Sequence, residues 1–132
     1  MKKINFPIVN VSSKKWDCDK DVYILDDEYI YTKDDIFYSK YFLNNSFVDS
    51  NGKVFKITDR LLPGRVRQIL SFIPNICKVE LVFKETGENM TIEEIRSLII
   101  RRVEEMVNDD ELKSEWIKNV KNAKTIADVI TG

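Results

Sequence analysis

Apolar and polar positions follow two different periods along this chain of 132 residues. Over the first two thirds, short runs of β-branched and aromatic residues alternate with turn formers, the pattern of strands. Val22-Tyr23-Ile24-Leu25 and Tyr29-Ile30-Tyr31-Thr32 read as strands on either side of Asp26-Asp27. Ile36-Phe37-Tyr38 continues toward Tyr41-Phe42-Leu43, and Asn44-Asn45 marks the next turn. Phe47-Val48-Asp49 and Lys53-Val54-Phe55-Lys56-Ile57 flank Ser50-Asn51-Gly52. Asn-Gly between two such runs predicts a hairpin with a type I′ turn, since both residues tolerate positive φ. Pro63-Gly64 punctuates the chain, and Arg65 to Ile73 stays open between strand and short helix. Ile76 to Phe83 alternates and then turns wholly apolar, a strand with one buried face, and Thr86-Gly87-Glu88-Asn89 leads out of it.

The last third changes to a helical period. Thr91 and Glu94 have the spacing of a capping box, and Ile95, Leu98, Ile99, Val103 and Met106 follow on one face. Asn108-Asp109-Asp110 ends that helix and supplies a cap for the next, on which Leu112, Trp116, Val120 and Ala123 recur. Thr125 with Asp128 opens a final turn carrying Ile126, Val129 and Ile130. Strands first and helices afterwards predict one α+β domain over residues 1–132. Its N-terminal antiparallel sheet should be followed by two to three C-terminal helices packed on it.

Composition narrows the chemistry more than the class. The chain has no histidine, which excludes Ser-His-Asp triads, Cys-His dyads and His-ligated metals. Its four glycines are too far apart for a phosphate-cradling loop. Cys18 and Cys77 match no zinc or redox spacing and are expected as free thiols in a reducing cytoplasm. Met1-Lys2-Lys3 is followed by a segment too short and polar for a signal peptide, and no apolar run approaches the roughly 20 residues that span a bilayer. The expected location is the cytoplasm, without membrane contact.

Two motifs invite a chemical reading. Asp17, Asp19, Asp21 and Glu28 fall at positions one, three, five and twelve of a calcium loop. Position six is Val22 where the loop turns on glycine, and the flanks are poor helices, so a solvated acidic loop is expected instead. Ser12 and Lys15 have the spacing of a Ser-x-x-Lys nucleophile without its companion elements, and read as a polar turn. No catalytic residue, metal or cofactor is expected, and the chain is read as a non-enzyme.

Charge placement says more than the net charge of −1. From Trp16 to Asp35 eight acids face two lysines; from Lys53 to Lys84 seven bases face two acids. Either the two segments complement each other across the fold, or one is a docking face. Tyr23, Tyr29, Tyr31 and Tyr38 lie in or beside the acidic stretch, as half-buried packing or as recognition aromatics with a polar tip. On the second view the steering charges are Asp26, Asp27, Glu28, Asp34 and Asp35, with Tyr29 or Tyr31 as an anchor.

The stretch Phe47-Val48-Asp49-Ser50-Asn51-Gly52-Lys53-Val54-Phe55-Lys56-Ile57, the strand Lys78 to Phe83, the Thr91-led helix and the Ala123-Lys124-Thr125 ending follow one another in order. Together, over roughly residues 45–132, they resemble small α+β immunity proteins that accompany secreted bacterial toxins, including those of contact-dependent growth inhibition. That resemblance implies a cytoplasmic inhibitor that binds one cognate toxin domain, here a basic one, and performs no catalysis. The family has no transferable site motif, so no residue is assigned through it. The alternative is a nucleic-acid or phage-associated accessory domain that uses the basic segment 53–84, with Arg60, Arg65, Arg67 and Phe72.

Overall fold

The computed structural model describes residues 4–14, 16–17, 20–31, 35–61 and 78–132. Among the described residues six strands form one antiparallel sheet: β1 (Ile8–Asn10), β2 (Ile24–Leu25), β3 (Tyr29–Tyr31), β4 (Ser46–Val48), β5 (Lys53–Leu61) and β6 (Lys78–Asn89). Their spatial order is β2-β1-β4-β5-β6-β3. Helices α1 (Lys20–Tyr23) and α2 (Asp35–Tyr41) interrupt the early strands, and α3 (Ile92–Met106), α4 (Asp110–Asn122) and α5 (Ile126–Thr131) close the chain. The mixed α+β class and the three C-terminal helices match the sequence pattern.

The strand order forces curvature. β2 and β3 are the two edges of the sheet, yet only Asp26, Asp27 and Glu28 join them. Four backbone steps reach about 14 Å at most, whereas the edges of a flat six-stranded sheet lie about 24 Å apart. The sheet therefore curls until its edges meet at this turn. Inside it, β1 and β4 are covered on both faces: Ile8, Val9, Phe47 and Val48 are all almost fully buried. Ile95, Ile99 and Val103 of α3 and Val129 and Ile130 of α5 join the same core, and α5 lies against β1.

The halves meet at Gly52. Its φ of +84° closes the β4–β5 turn, and its carbonyl accepts from Met90 N at 2.7 Å, just ahead of α3. The hairpin forms where Asn-Gly predicts it, but not as type I′. Gly52 N donates to Asp49 O, and among Asn51 and Gly52 only the glycine has positive φ. That is a type I turn followed by a left-handed glycine. Buried Asp49 selects it: its carboxylate accepts from Asn51 N and Lys53 N at 2.9 Å each, and from Asn5 N at 3.2 Å.

Three local expectations are corrected. Ile36 to Tyr41 is helix, not strand: Tyr38 and Phe42, four apart, are buried while Ile36 is 80% exposed. A short aromatic run satisfies either period, and packing decides. Val22-Tyr23 belongs to α1, leaving only Ile24–Leu25 as strand. β6 does not end at Phe83 but runs to Asn89, because a register shift between Lys53 and Phe55 absorbs extra residues around Gly87, whose φ is +83°. Cys18, Cys77 and the segment from Arg65 to Ile73 lie outside the described residues.

The C-terminal helices start as their caps predict. Thr91 and Glu94 complete the capping box, Asp109 accepts from Glu111 N and Leu112 N, and Thr125 accepts from Asp128 N. Arg96 ties two helices together by donating to Val120 O and Ala123 O at the end of α4, where the helix dipole favours a cation. Arg102 Nε donates to Ser13 O at 3.0 Å and fastens α3 to the loop after β1.

Candidate partner-binding face

The β3–β6 pairing builds the face. Ile30, Val79 and Leu81 point inward and are buried, so the alternate residues point outward. Tyr29 lies opposite Glu80, and Glu80 opposite Leu61 of β5, giving one lateral row across three strands. Asp59 and Val82 form the next row. Leu61 is 53% exposed, and Tyr29 and Glu80 are half-buried. The row carries a phenol, a carboxylate and an exposed aliphatic side chain.

Asp26, Asp27 and Glu28 stand at the end of this face, on the turn that joins the sheet edges. Asp26 and Asp27 are exposed and Glu28 is half-buried. The turn is fastened twice: Tyr29 N donates to Asp27 Oδ1 at 2.9 Å, and Leu81 N donates to Glu28 O at 2.7 Å. The three acids are thus displayed from a backbone already paired, and little ordering entropy remains to be lost on binding.

Of the seven residues expected at the interface, Asp26, Asp27, Glu28 and Tyr29 come together here. Tyr31 ends β3, two residues beyond Tyr29, and Asp35 opens α2; both are placed by their backbone alone. Asp34 lies outside the described residues. Glu80 and Leu61 were missed. Only the pairing of β3 with β6, some fifty positions apart in sequence, brings them beside Tyr29, and no local pattern encodes that register.

Asp17 turns out to be a different kind of acid. Tyr23 stacks on buried Trp16, with ring centres 5.1 Å apart, and its hydroxyl donates to Asp17 Oδ1 at 2.6 Å. Tyr41 donates to the same oxygen at 3.2 Å, and Lys40 lies 3.3 Å from the other. The Tyr23 hydrogen bond, helped by Lys40, holds the Asp17 carboxyl below its ordinary range. Burial first, then the bond to Asp17, pushes the Tyr23 phenol well above its own. This network links Tyr23 of α1 to Lys40 and Tyr41 of α2 through Asp17, from either side of the turn in sequence.

Part of the basic stretch lies among the described residues. Lys53, Lys56 and Lys84 are exposed, and Lys56 sits directly opposite Lys84 across β5 and β6. Arg60 lies 4.4 Å over the Tyr38 ring, and Arg65, Arg67 and Phe72 are outside the described residues. Among the described residues no three His, Cys, Asp or Glu side chains are grouped to hold a metal ion, and no helix is long and apolar enough to cross a membrane. Comparison with protein-family models, curated proteins and solved structures finds no match to this chain.

Proposed function

We propose that this protein is a non-enzymatic, cytoplasmic binding protein of the toxin-immunity kind, which occupies the cationic surface of one toxin domain with its acidic sheet edge. One observation carries the reading. Asp26, Asp27 and Glu28 are displayed on a turn fixed to β6, beside an outward row of Tyr29, Glu80 and Leu61. Clustered carboxylates speed encounter with a basic partner and penalise wrong ones. A tyrosine and a leucine beside them provide apolar contact once the partner is in place. A toxin that acts on nucleic acid must neutralise phosphate, so its cleft is cationic and matches such a face.

The test is co-expression with any toxin domain encoded beside the gene for this chain. Native protein should restore growth, and the triple variant D26K/D27K/E28K should fail to protect at equal expression. If no neighbouring toxin is neutralised while the protein binds random duplex DNA in a salt-dependent way, the reading is wrong and the basic segment becomes the functional one.

A further inference from the structure

β6 spans twelve residues, yet on the side away from β5 only its start is paired among the described residues. β3 covers residues 78–80, and Leu81 N donates to Glu28 O at 2.7 Å. Over residues 82–89 no described residue pairs with that side of the strand. Lys84 and Glu85 are exposed there, and Phe83 is half-buried against the core.

The bonds of β5 show which backbone groups face the open side. Ile57 N donates to Asn45 O at 3.0 Å and Ile57 O accepts from Asn44 N at 2.8 Å, so both groups point away from β6. Ile57 lies opposite Phe83, and Phe55, in the same phase as Ile57, lies opposite Glu85. Opposed residues of an antiparallel pair turn their backbone groups either toward each other or both away. The N–H and C=O of Phe83 and of Glu85 therefore face the open side, in phase with Leu81 N. Lys84, opposite Lys56, turns its own groups to β5. Beyond Glu85 the strand bulges: Glu88 N donates to Thr86 Oγ1, which donates in turn to Val54 O. The open edge is thus residues 83–85, between the acidic turn and the bulge.

Like charge bars a second copy of this chain from this edge. A two-fold antiparallel pair that sets Phe83 against Glu85 of a second copy also sets Lys84 against Lys84. A pair centred on Glu85 opposes two glutamates, and both arrangements are destabilising. Centring on Phe83 carries Glu85 onto Leu81, whose N–H already donates to Glu28 O.

We infer that residues 83–85 are a strand-addition site for an extended segment of another protein. The segment runs antiparallel to β6, in line with β3, and reads basic, acidic, apolar in that order. Its backbone pairs with Phe83 and Glu85, and its side chains supply the selectivity. The basic residue faces Glu85, the acidic one faces Lys84 with Lys56 beside it, and the apolar one covers Phe83. The inference rests on strand geometry and not on the immunity reading, and either can fail alone.

The probe is a synthetic peptide with Lys-Glu-Val at its centre, flanked by threonines. Three analogues accompany it: one reading Glu-Lys-Val, one N-methylated at the valine and one N-methylated at the glutamate. In the free protein, amide exchange should be faster at Phe83 and Glu85 than at Lys84. NMR titration with the Lys-Glu-Val peptide should shift and protect the Phe83 and Glu85 amides. Methylation of the valine, which faces Phe83, should weaken binding by about tenfold, the loss of one backbone bond. Methylation of the glutamate, whose N–H faces away from β6, should not, and the exchanged order Glu-Lys-Val should bind more weakly. E85P removes an outward N–H without breaking a bond to β5 and should abolish the response, while E85Q should keep the dependence on methylation. Failure of the Lys-Glu-Val peptide to bind the native protein, or equal loss from the two methylations, would overturn the inference. So would protection of Phe83 and Glu85 before any peptide is added, which would mean that the edge is already covered, by this chain or by a second copy.

Discussion

The molecule carries an acidic turn and an apolar groove, and the two surfaces are built in opposite ways. The one at Asp26, Asp27 and Glu28 stands on a turn held by the bond from Tyr29 N to the Asp27 carboxylate and by that from Leu81 N to Glu28 O, and faces outward beside a shallow sheet row. The one at Leu112 and Trp116 rides on a capped helix and borders a mostly apolar groove with Glu115 in its lining. Clustered exposed carboxylates suit fast electrostatic encounter, whereas a groove suits contact with an apolar side chain.

Gly52 joins the two halves, so it offers the largest break in the comparison. A Cβ there would lie 2.5 Å from Met90 O on a backbone of φ +84°, with Ile126 Cδ1 at 3.5 Å. Gly52→Ala should lower unfolding free energy by about 3 kcal/mol, since left-handed strain and a backbone clash coincide. Urea denaturation checks the size. Amide exchange should show β5 and α3 losing protection together; loosening of one half alone would contradict the joint.

Next in size is the cap that belongs to the helical half. Thr91→Ala removes the side-chain acceptor for Glu94 N and should cost about 1 kcal/mol in the same denaturation assay. Its exchange effect should stay within the first turn of α3 and leave Tyr29 to Tyr31 untouched. Spread into β3 would show that the two surfaces are not independently supported.

The smallest effect belongs to the sheet half and is read in acid. Asp17 has its carboxyl lowered from an ordinary value of 3.8, so the stability it contributes is complete above that pH and fades as pH falls through the lower folded value. Tyr23→Phe removes the hydroxyl chiefly responsible. The folded value then returns toward 3.8, and the loss of stability below about pH 4 becomes shallower. Parallel acid titrations of native and variant protein measure the difference in slope; identical slopes would mean that Tyr23 does not set the Asp17 carboxyl.

These variants also mark what was legible before the fold was known. Helix starts at Thr91, Asp109 and Thr125 were readable because a cap acts within three residues of itself. The hairpin at Asn51-Gly52 was readable for the same reason, although its turn type depended on Asp49 folding its carboxylate back onto the loop. α2 was not readable: Phe37, Tyr38, Tyr41 and Phe42 fit a strand or a helix, and burial of Tyr38 and Phe42 settled it. Of the candidate face, the acids and Tyr29 were visible as a local cluster. Glu80 and Leu61 joined them only through long-range strand pairing. Leu112 was visible as a member of its stripe, but its exposure depends on where α3 and α5 end.

The central claim is that the acidic turn steers a cationic protein partner, and the association rate constant measured against ionic strength tests it most directly. Stopped-flow mixing with a toxin domain that the protein neutralises should show a steep fall in rate with salt for native protein. In D26K/D27K/E28K the rate at low salt should drop by at least about tenfold and its salt dependence should flatten. R65E/R67E should change little. Unaltered rates in the acidic-turn variant, with binding abolished by the arginine changes, would contradict the account.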